Sequence, residues 1–221
     1  MSRLTRLVLG LAITVLVSGP ATAGPERSAT GGRLQVPGVL LLPVRVDVYE
    51  VAPAGVTLLK AEWTRQAQDF VRAALDRVLA GRTAIVPYQA PADAERRDRH
   101  AQVIKVHALL RSAIVTHRYT AGSSLPSKSR FEWSLGPGAA VLHDDDRTGA
   151  PYAMFVEMSE ARLGRHFVTI GGLANEFTGS ASIVDLAAGD IVWFNYERTG
   201  AVGTAPDALA TVTRLLRDLP F

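Results

Sequence analysis

The densest cluster of groups able to hold or move charge is His143-Asp144-Asp145-Asp146. Asp144 and Asp146, with a backbone carbonyl, supply the oxygen donors a hard divalent cation takes, and His143 could add a nitrogen. The run falls short of an EF-hand loop. Counted from Asp144, acids stand at positions 1 and 3 and Gly149 at position 6, but position 5 is Thr148 and position 12 is Phe155 instead of Glu. One reading is a metal-binding protein or metal-assisted hydrolase centred on His143, Asp144 and Asp146. The other is an acidic surface connection from a helix into a strand.

Other chemistry is thinner. His100 and His107 share a helical face but stand seven residues apart, about 10 Å of rise, too far for one ion without further ligands. They read as helix-rim, partly buried histidines, able to titrate usefully only through burial against a sheet. No G-x-S-x-G occurs, and Gly179-Ser180-Ala181-Ser182 lies in a strand pattern, not at a strand-to-helix elbow. No phosphate-binding glycine loop occurs; Gly171-Gly172 reads as a bulge or close backbone approach. Glu157 and Glu160 could form a carboxylate pair or an exposed strand end. Trp193, Phe194 and Tyr196 could stack a sugar, but strand alternation sets Trp193 opposite the other two, which favours core on two faces. Arg162, Arg165 and His166, with Lys128 and Arg130, could form a patch for an anionic polymer or membrane head groups, but a near-neutral chain favours a plain solvated surface.

The chain that must position these groups has 221 residues, 48% of them hydrophobic, and no Cys. Disulfides, thiolate metal sites and a Cys nucleophile are excluded. Arg3 and Arg6 precede the eleven-residue apolar run Leu7–Val17, which is too short to span a bilayer. Ser18-Gly19-Pro20 breaks the run, and Ala21-Thr22-Ala23 is a small-residue cleavage site. Residues 1–23 therefore read as a signal peptide, 24–37 as a flexible leader and 38–221 as one α/β envelope domain. Removing Arg3 and Arg6 leaves 22 basic against 21 acidic side chains, a net charge of +1. Bulk charge then gives no support for a nucleic-acid partner. The expected product is periplasmic or secreted, with no transmembrane segment after cleavage and, lacking a Cys to acylate, no lipid anchor.

In Gly38–Val51, a buried-type run at Leu40-Leu41-Leu42 precedes an alternating strand, with Pro43 marking an edge or bulge. Thr57 reads as an N-cap for a helix over Leu59–Ala80, closed by Gly81. Thr83–Tyr88 reads as a short strand. Pro91 and Asp93 open a helix of about 20 residues striped by His100, Val103, His107, Leu110 and Ile114. Tyr119–Arg130 is a polar loop. Pro137 starts a shorter helix running to about Asp146, and Tyr152–Met158 and His166–Ile170 are strand candidates. Ser180–Leu186 and Ile191–Arg198 form a hairpin around Gly189, apolar on both faces, as in a sheet covered on both sides. Thr204 caps a terminal amphipathic helix, with Asp207 three residues on as an acidic partner resembling a capping box. Helices between the early strands imply parallel pairing, and the late strands an antiparallel meander. The fold expected is α/β (α+β): a mixed sheet of about five strands with helices packed on it.

Tyr152-Ala153, then Ala181, Val184-Asp185, Gly189 and Val192-Trp193, follow a strand and strand-pair pattern found in bacterial envelope proteins. The chain resembles the fold shared by CsgG, LpoB and the N-terminal domain of TolB, and small periplasmic proteins of proteobacteria related to it. The resemblance implies a domain used for protein–protein contact in the envelope and no catalytic residues. It implies a non-catalytic adaptor or assembly factor that engages an envelope protein, or a further copy of itself, through a sheet edge or the 119–130 loop. An envelope-glycan binding module is the other non-catalytic reading.

Overall fold

The computed structural model describes residues 24–28, 34, 36, 38–52, 56–143, 149–164 and 175–221. In chain order the elements are β1 (Glu26–Arg27), β2 (Gly38–Leu41), β3 (Arg45–Val51), β4 (Thr57–Leu59), α1 (Ala61–Leu79), β5 (Ala84–Pro87), α2 (Ala94–Tyr119), β6 (Tyr152–Leu163), β7 (Glu176–Asp185), β8 (Ile191–Glu197) and α3 (Ala205–Leu215). Two 3-10 helices, Pro126–Lys128 and Pro137–His143, lie between α2 and β6.

The strands form one mixed sheet ordered β1-β8-β7-β6-β2-β5, with β3 also beside β6 and β4 beside β3. β2 and β3 run parallel to β6, and β2 parallel to β5, while β6, β7 and β8 form the antiparallel meander. The α/β class with a mixed, helix-covered sheet is therefore as the pattern implies. Eight strands are described instead of about five, because Gly38–Val51 divides in two and because β1 and β4 are added.

The division lies at Pro43. Leu41 pairs with Met154 and Arg45 with Glu157, so four steps on one strand face three on the other. That is the bulge a residue without an N–H demands. It also changes the outer neighbour, from β5 beside β2 to β4 beside β3.

The expected start of α1 is wrong. Thr57 does not cap a helix; its backbone pairs with Val51, and Leu59 pairs with Tyr49. The helix begins at Ala61 after Lys60, which makes no side-chain cap. A β-branched Thr suits either role, and the hairpin ladder, closed by Lys60 N donating to Val48 O at 2.9 Å, wins. At the other end Gly81 takes the left-handed φ of 77° expected of a helix-terminating glycine. α2 is longer than expected, at 26 residues, and is capped by Asp93, whose Oδ1 accepts from Arg96 N at 2.8 Å. The helix expected from Pro137 is instead a 3-10 segment ending at His143. The strand expected at His166–Ile170 and the Gly171-Gly172 pair lie outside the described residues. Within the expected leader, β1 pairs with Phe194 and Trp193, and Glu26 takes two contacts from Arg118 of α2 at 2.8 and 3.2 Å.

Two cores result. α1 and α3 cover the face carrying Val46, Val48, Met154, Ile183 and Trp193. α2 and residues 131–142 cover the face carrying Leu40, Phe155, Val184, Leu186 and Phe194. Trp193 and Phe194 are both fully buried, on opposite faces, as alternation dictates. The β7–β8 turn clamps the second cover. Gly189 has a φ of 78°, and a Cβ there would strike the Gly136 backbone. Leu135 N donates to Gly189 O and Ile191 N to Trp133 O, each at 2.8 Å. In α3, Thr204 Oγ1 accepts from Asp207 N, the N-cap expected from the sequence, while the Asp207 carboxylate takes the Thr204 hydroxyl proton at 2.7 Å instead of the backbone N–H that a capping box uses.

Candidate functional site

The register puts a polar seam into the α2-covered face. Arg45, Glu157 and Ser180 are direct neighbours across β3, β6 and β7, and Ser182 lies opposite Phe155 one pleat further on. α2 brings His107 and Arg111, one turn apart on the same face, down onto this seam. His107 Nε2 lies 2.7 Å from Ser182 Oγ, and Arg111 Nε donates to Ser180 Oγ at 2.6 Å. His107 Nδ1 is 3.6 Å from Glu157 Oε1 and Arg111 Nε is 3.8 Å from Glu157 Oε2. The imidazole stacks on Phe155, with ring centroids 3.8 Å apart and planes 11° from parallel.

The connectivity is Ser–His–carboxylate, the order in which a hydroxyl is activated by a base and an acid. The environment argues against that use of Ser182. It is 1% exposed, sits mid-strand, and has an aromatic ring, not a substrate cleft, beside its base. At 3.6 Å the Nδ1–Oε1 separation is too long for a hydrogen bond, which leaves Nδ1 buried without a hydrogen-bond partner among the described residues. The seam instead gives directional attachment of α2 to β7, satisfying hydroxyls that would otherwise be buried without partners.

Burial pushes the His107 pKa below its ordinary value, and the Glu157 carboxylate only partly restores it. Burial alone would raise Glu157, but the His107 and Arg111 contacts, with Arg45, hold it below the ordinary range. Both shifts have one sign for stability. Below pH 6.5 the unfolded chain takes up a proton that the folded imidazole refuses. Around the ordinary carboxylate pKa the unfolded chain likewise binds a proton that folded Glu157 does not. Stability should therefore fall as pH drops from 7.5 to 5.5, and fall further as Glu157 protonates. Urea unfolding of wild type and His107→Gln at both pH values checks this: the variant should lose less stability across that interval, and equal losses would refute the assignment to His107.

The structure separates most of the groups singled out by the sequence. His143 is exposed at the end of its 3-10 helix, while Asp144, Asp145 and Asp146 lie outside the described residues. Among the described residues no three His, Cys, Asp or Glu side chains are grouped to hold a metal. His100 and His107 are buried, at 3% and 2% exposure, not at the helix rim; His100 Nδ1 lies 3.1 Å from the Tyr88 hydroxyl. Glu157 and Glu160 are three apart on one strand, so they face opposite sides and form no pair. Glu160 and Arg162 belong to the α1 side, Arg162 standing over Trp63, whereas Lys128 stands over Trp133 on the α2 side. Those cations form no single patch, and Arg165 and His166 lie outside the described residues. Trp193 and Phe194 are too deeply buried to stack a sugar or a base.

Three surface features remain. A small polar groove of about 220 Å³ opens beside the seam, lined by Arg45, Asp47, Arg111, Ser112, Glu157 and Ser159. A larger groove of about 470 Å³ runs between Val103 and Val106 of α2 and the wall formed by Leu135, Pro137, Ala140 and Val141. The third is β4, where Leu58 and Leu59, with Val56 just before them, are 49%, 55% and 55% exposed. Among the described residues no helix is long and apolar enough to cross a membrane.

No protein-family model and no curated protein matches the chain. Among solved structures it is similar to the LpoB C-terminal domain from Salmonella enterica, at 15% identity and a TM-score of 0.31, over 75% of this chain and 84% of that one. It is similar to PelC from Paraburkholderia phytofirmans, crystallised as a dodecamer, at 13% identity and a TM-score of 0.34, over 90% and 95%. A lipoprotein from Neisseria meningitidis matches at 14% identity and a TM-score of 0.31, over 83% and 99%.

Proposed function

We propose that the chain is an exported, non-catalytic accessory protein of the cell envelope that works by adding a strand of a protein partner to the open edge of β4. The export signal at residues 1–23 and the sequence resemblance to the CsgG and TolB N-terminal-domain fold set the compartment in this reading. The observation that carries it is the contrast between sheet edges. β1 is two residues long, and both are charged. β5 ends in Pro87, which cannot donate to a neighbour. β4 is also short, at three residues, but carries neither charge nor proline: Thr57, Leu58 and Leu59 are all exposed, and β3 is their sole strand neighbour among the described residues. An unprotected apolar edge is a template for strand addition, where main-chain hydrogen bonds supply affinity and alternate side chains supply selectivity.

A photo-crosslinking residue at Val56, with a control at exposed Arg72 on α1, tests this in intact cells. Position 56 should give a discrete crosslinked species that position 72 does not. Leu58→Lys with Leu59→Lys should abolish it while leaving stability within about 0.5 kcal/mol, since both side chains are solvent-exposed. The reading fails if position 56 yields no adduct, or if the lysine variant crosslinks as well as the unaltered chain.

A further inference from the structure

The groove between α2 and residues 135–141 has the form of a ligand site. Its volume of about 470 Å³ is in the range of small-molecule pockets. Its wall does not depend on a ligand for its position, because the clamp of residues 133–136 onto the β7–β8 turn holds it. The Ser134–Asp190 bridge and the Leu135 N to Gly189 O bond sit directly behind it. The cleft between wall and helix is left open: a Cβ at Gly138 would meet nothing within 4 Å, and Val106 is 41% exposed. Leu109, one turn beyond Val106, is 72% exposed and extends the apolar track along the helix.

The polar side chains in this groove are few, and its one charged group is a cation. Arg99 and Gln102 stand at the end nearer the α2 N-terminus, and no carboxylate lines it. The contact of Arg99 with Glu95 is 3.8 Å long, and both side chains are substantially exposed, at 49% and 82%. Such an exposed pair within a helix contributes little and leaves the guanidinium able to turn to a stronger acceptor. One end thus offers a bidentate donor, and the remaining length offers aliphatic surface.

We propose that this groove binds an amphiphile with one alkyl chain and one anionic head group, the head on Arg99 and the chain along Val103, Val106 and Leu135. The site is separate from the β4 edge and from the His107 seam. It requires neither protein partner nor metal.

Calorimetric titration of the signal-cleaved chain with dodecanoate, below its critical micelle concentration, tests the proposal directly. Dodecyltrimethylammonium, with the same chain and a cationic head, is the comparison. Dodecanoate should bind saturably at one site and at least about tenfold tighter than the cationic amphiphile, the difference one charge-assisted contact makes. Arg99→Glu should remove or invert that preference. Ala140→Trp fills the groove from an exposed position and should abolish binding of both. Gly138→Leu, at a position with open space, should weaken binding likewise and guards against a misfolded tryptophan variant. Absence of saturable dodecanoate binding, equal affinity for both heads, or binding unchanged in both groove-filling variants would each overturn the proposal. An apolar peptide segment would then be the remaining class of occupant.

Discussion

Trp193→Ala should lower the unfolding free energy by about 3–5 kcal/mol, the range for removing a large aromatic from a packed core. Domains of this size have about 5–15 kcal/mol in total, so the variant should be close to unfolding in water at 25 °C. Trp193 is fully buried on β8, in register with Ile183 of β7 and Arg27 of β1. It belongs to the core under α1 and α3, which draws its members from strands β2, β3, β6, β7 and β8 and from both helices. Its indole N–H has no hydrogen-bond partner among the described residues, a cost already present in the native state. Trp193→Phe removes that donor and leaves a smaller void, so it should cost only about 1 kcal/mol. Urea unfolding followed by far-ultraviolet circular dichroism measures both, and an alanine variant within about 1 kcal/mol of wild type would show that the side chain is not a core anchor.

The β7–β8 hairpin was legible because two independent local signals agree there. Its strands carry β-branched and aromatic residues, and Gly189 supplies the one left-handed turn position. Observed ends differ from the expected ones mainly by an N-terminal extension to Glu176. The α2 stripe was legible for a similar reason: a 3.6-residue period survives even when two of its members are histidines. β4 was not, since Thr57 is as good an N-cap as a strand residue, and pairing with Tyr49–Val51 is decided by the hairpin that joins them.

The polar seam was the larger omission. His107, Glu157 and Ser182 meet only through strand register and helix docking, and no local period encodes those. A usable signal was nevertheless present. Ser180 and Ser182 interrupt the face that continues as Val184 and Leu186, and Glu157 interrupts the apolar run Tyr152–Met158. His107 and Arg111 stand one turn apart on the stripe of α2. Polar groups placed on faces that must be buried have to find one another. That rule marks these residues as ones that need buried partners, while strand register and helix docking decide which of them meet.

The two faces of the sheet solve the problem of buried charge differently, and the α1 face gives the second large effect. Glu160→Ala should cost about 3 kcal/mol, near the lower end for breaking a buried ion pair by removing one partner. Glu160 is 3% exposed, and its carboxylate accepts from Arg162 Nε at 2.8 Å and Nη2 at 3.2 Å. Oε2 also accepts from Val202 N at 2.9 Å. Alanine would leave a buried backbone N–H and a guanidinium without that acceptor. Arg162 is 24% exposed, which keeps the effect from the upper end of the range. The guanidinium also stands over Trp63, 5.3 Å from the ring centroid, so Arg162→Ala loses packing as well as charge. Glu160→Gln keeps an acceptor for Val202 and should cost about half as much, because the charge-assisted fork is weakened while the backbone bond survives. Replacing both members by methionine should be less damaging than Glu160→Ala alone, since no charge is then stranded. Hydrogen exchange at Val202 separates this account from general loosening: its amide should lose protection in Glu160→Ala and retain it in Glu160→Gln. Equal exchange in the two variants, or an alanine cost under about 1 kcal/mol, would mean that the carboxylate does not tether the segment leading into α3.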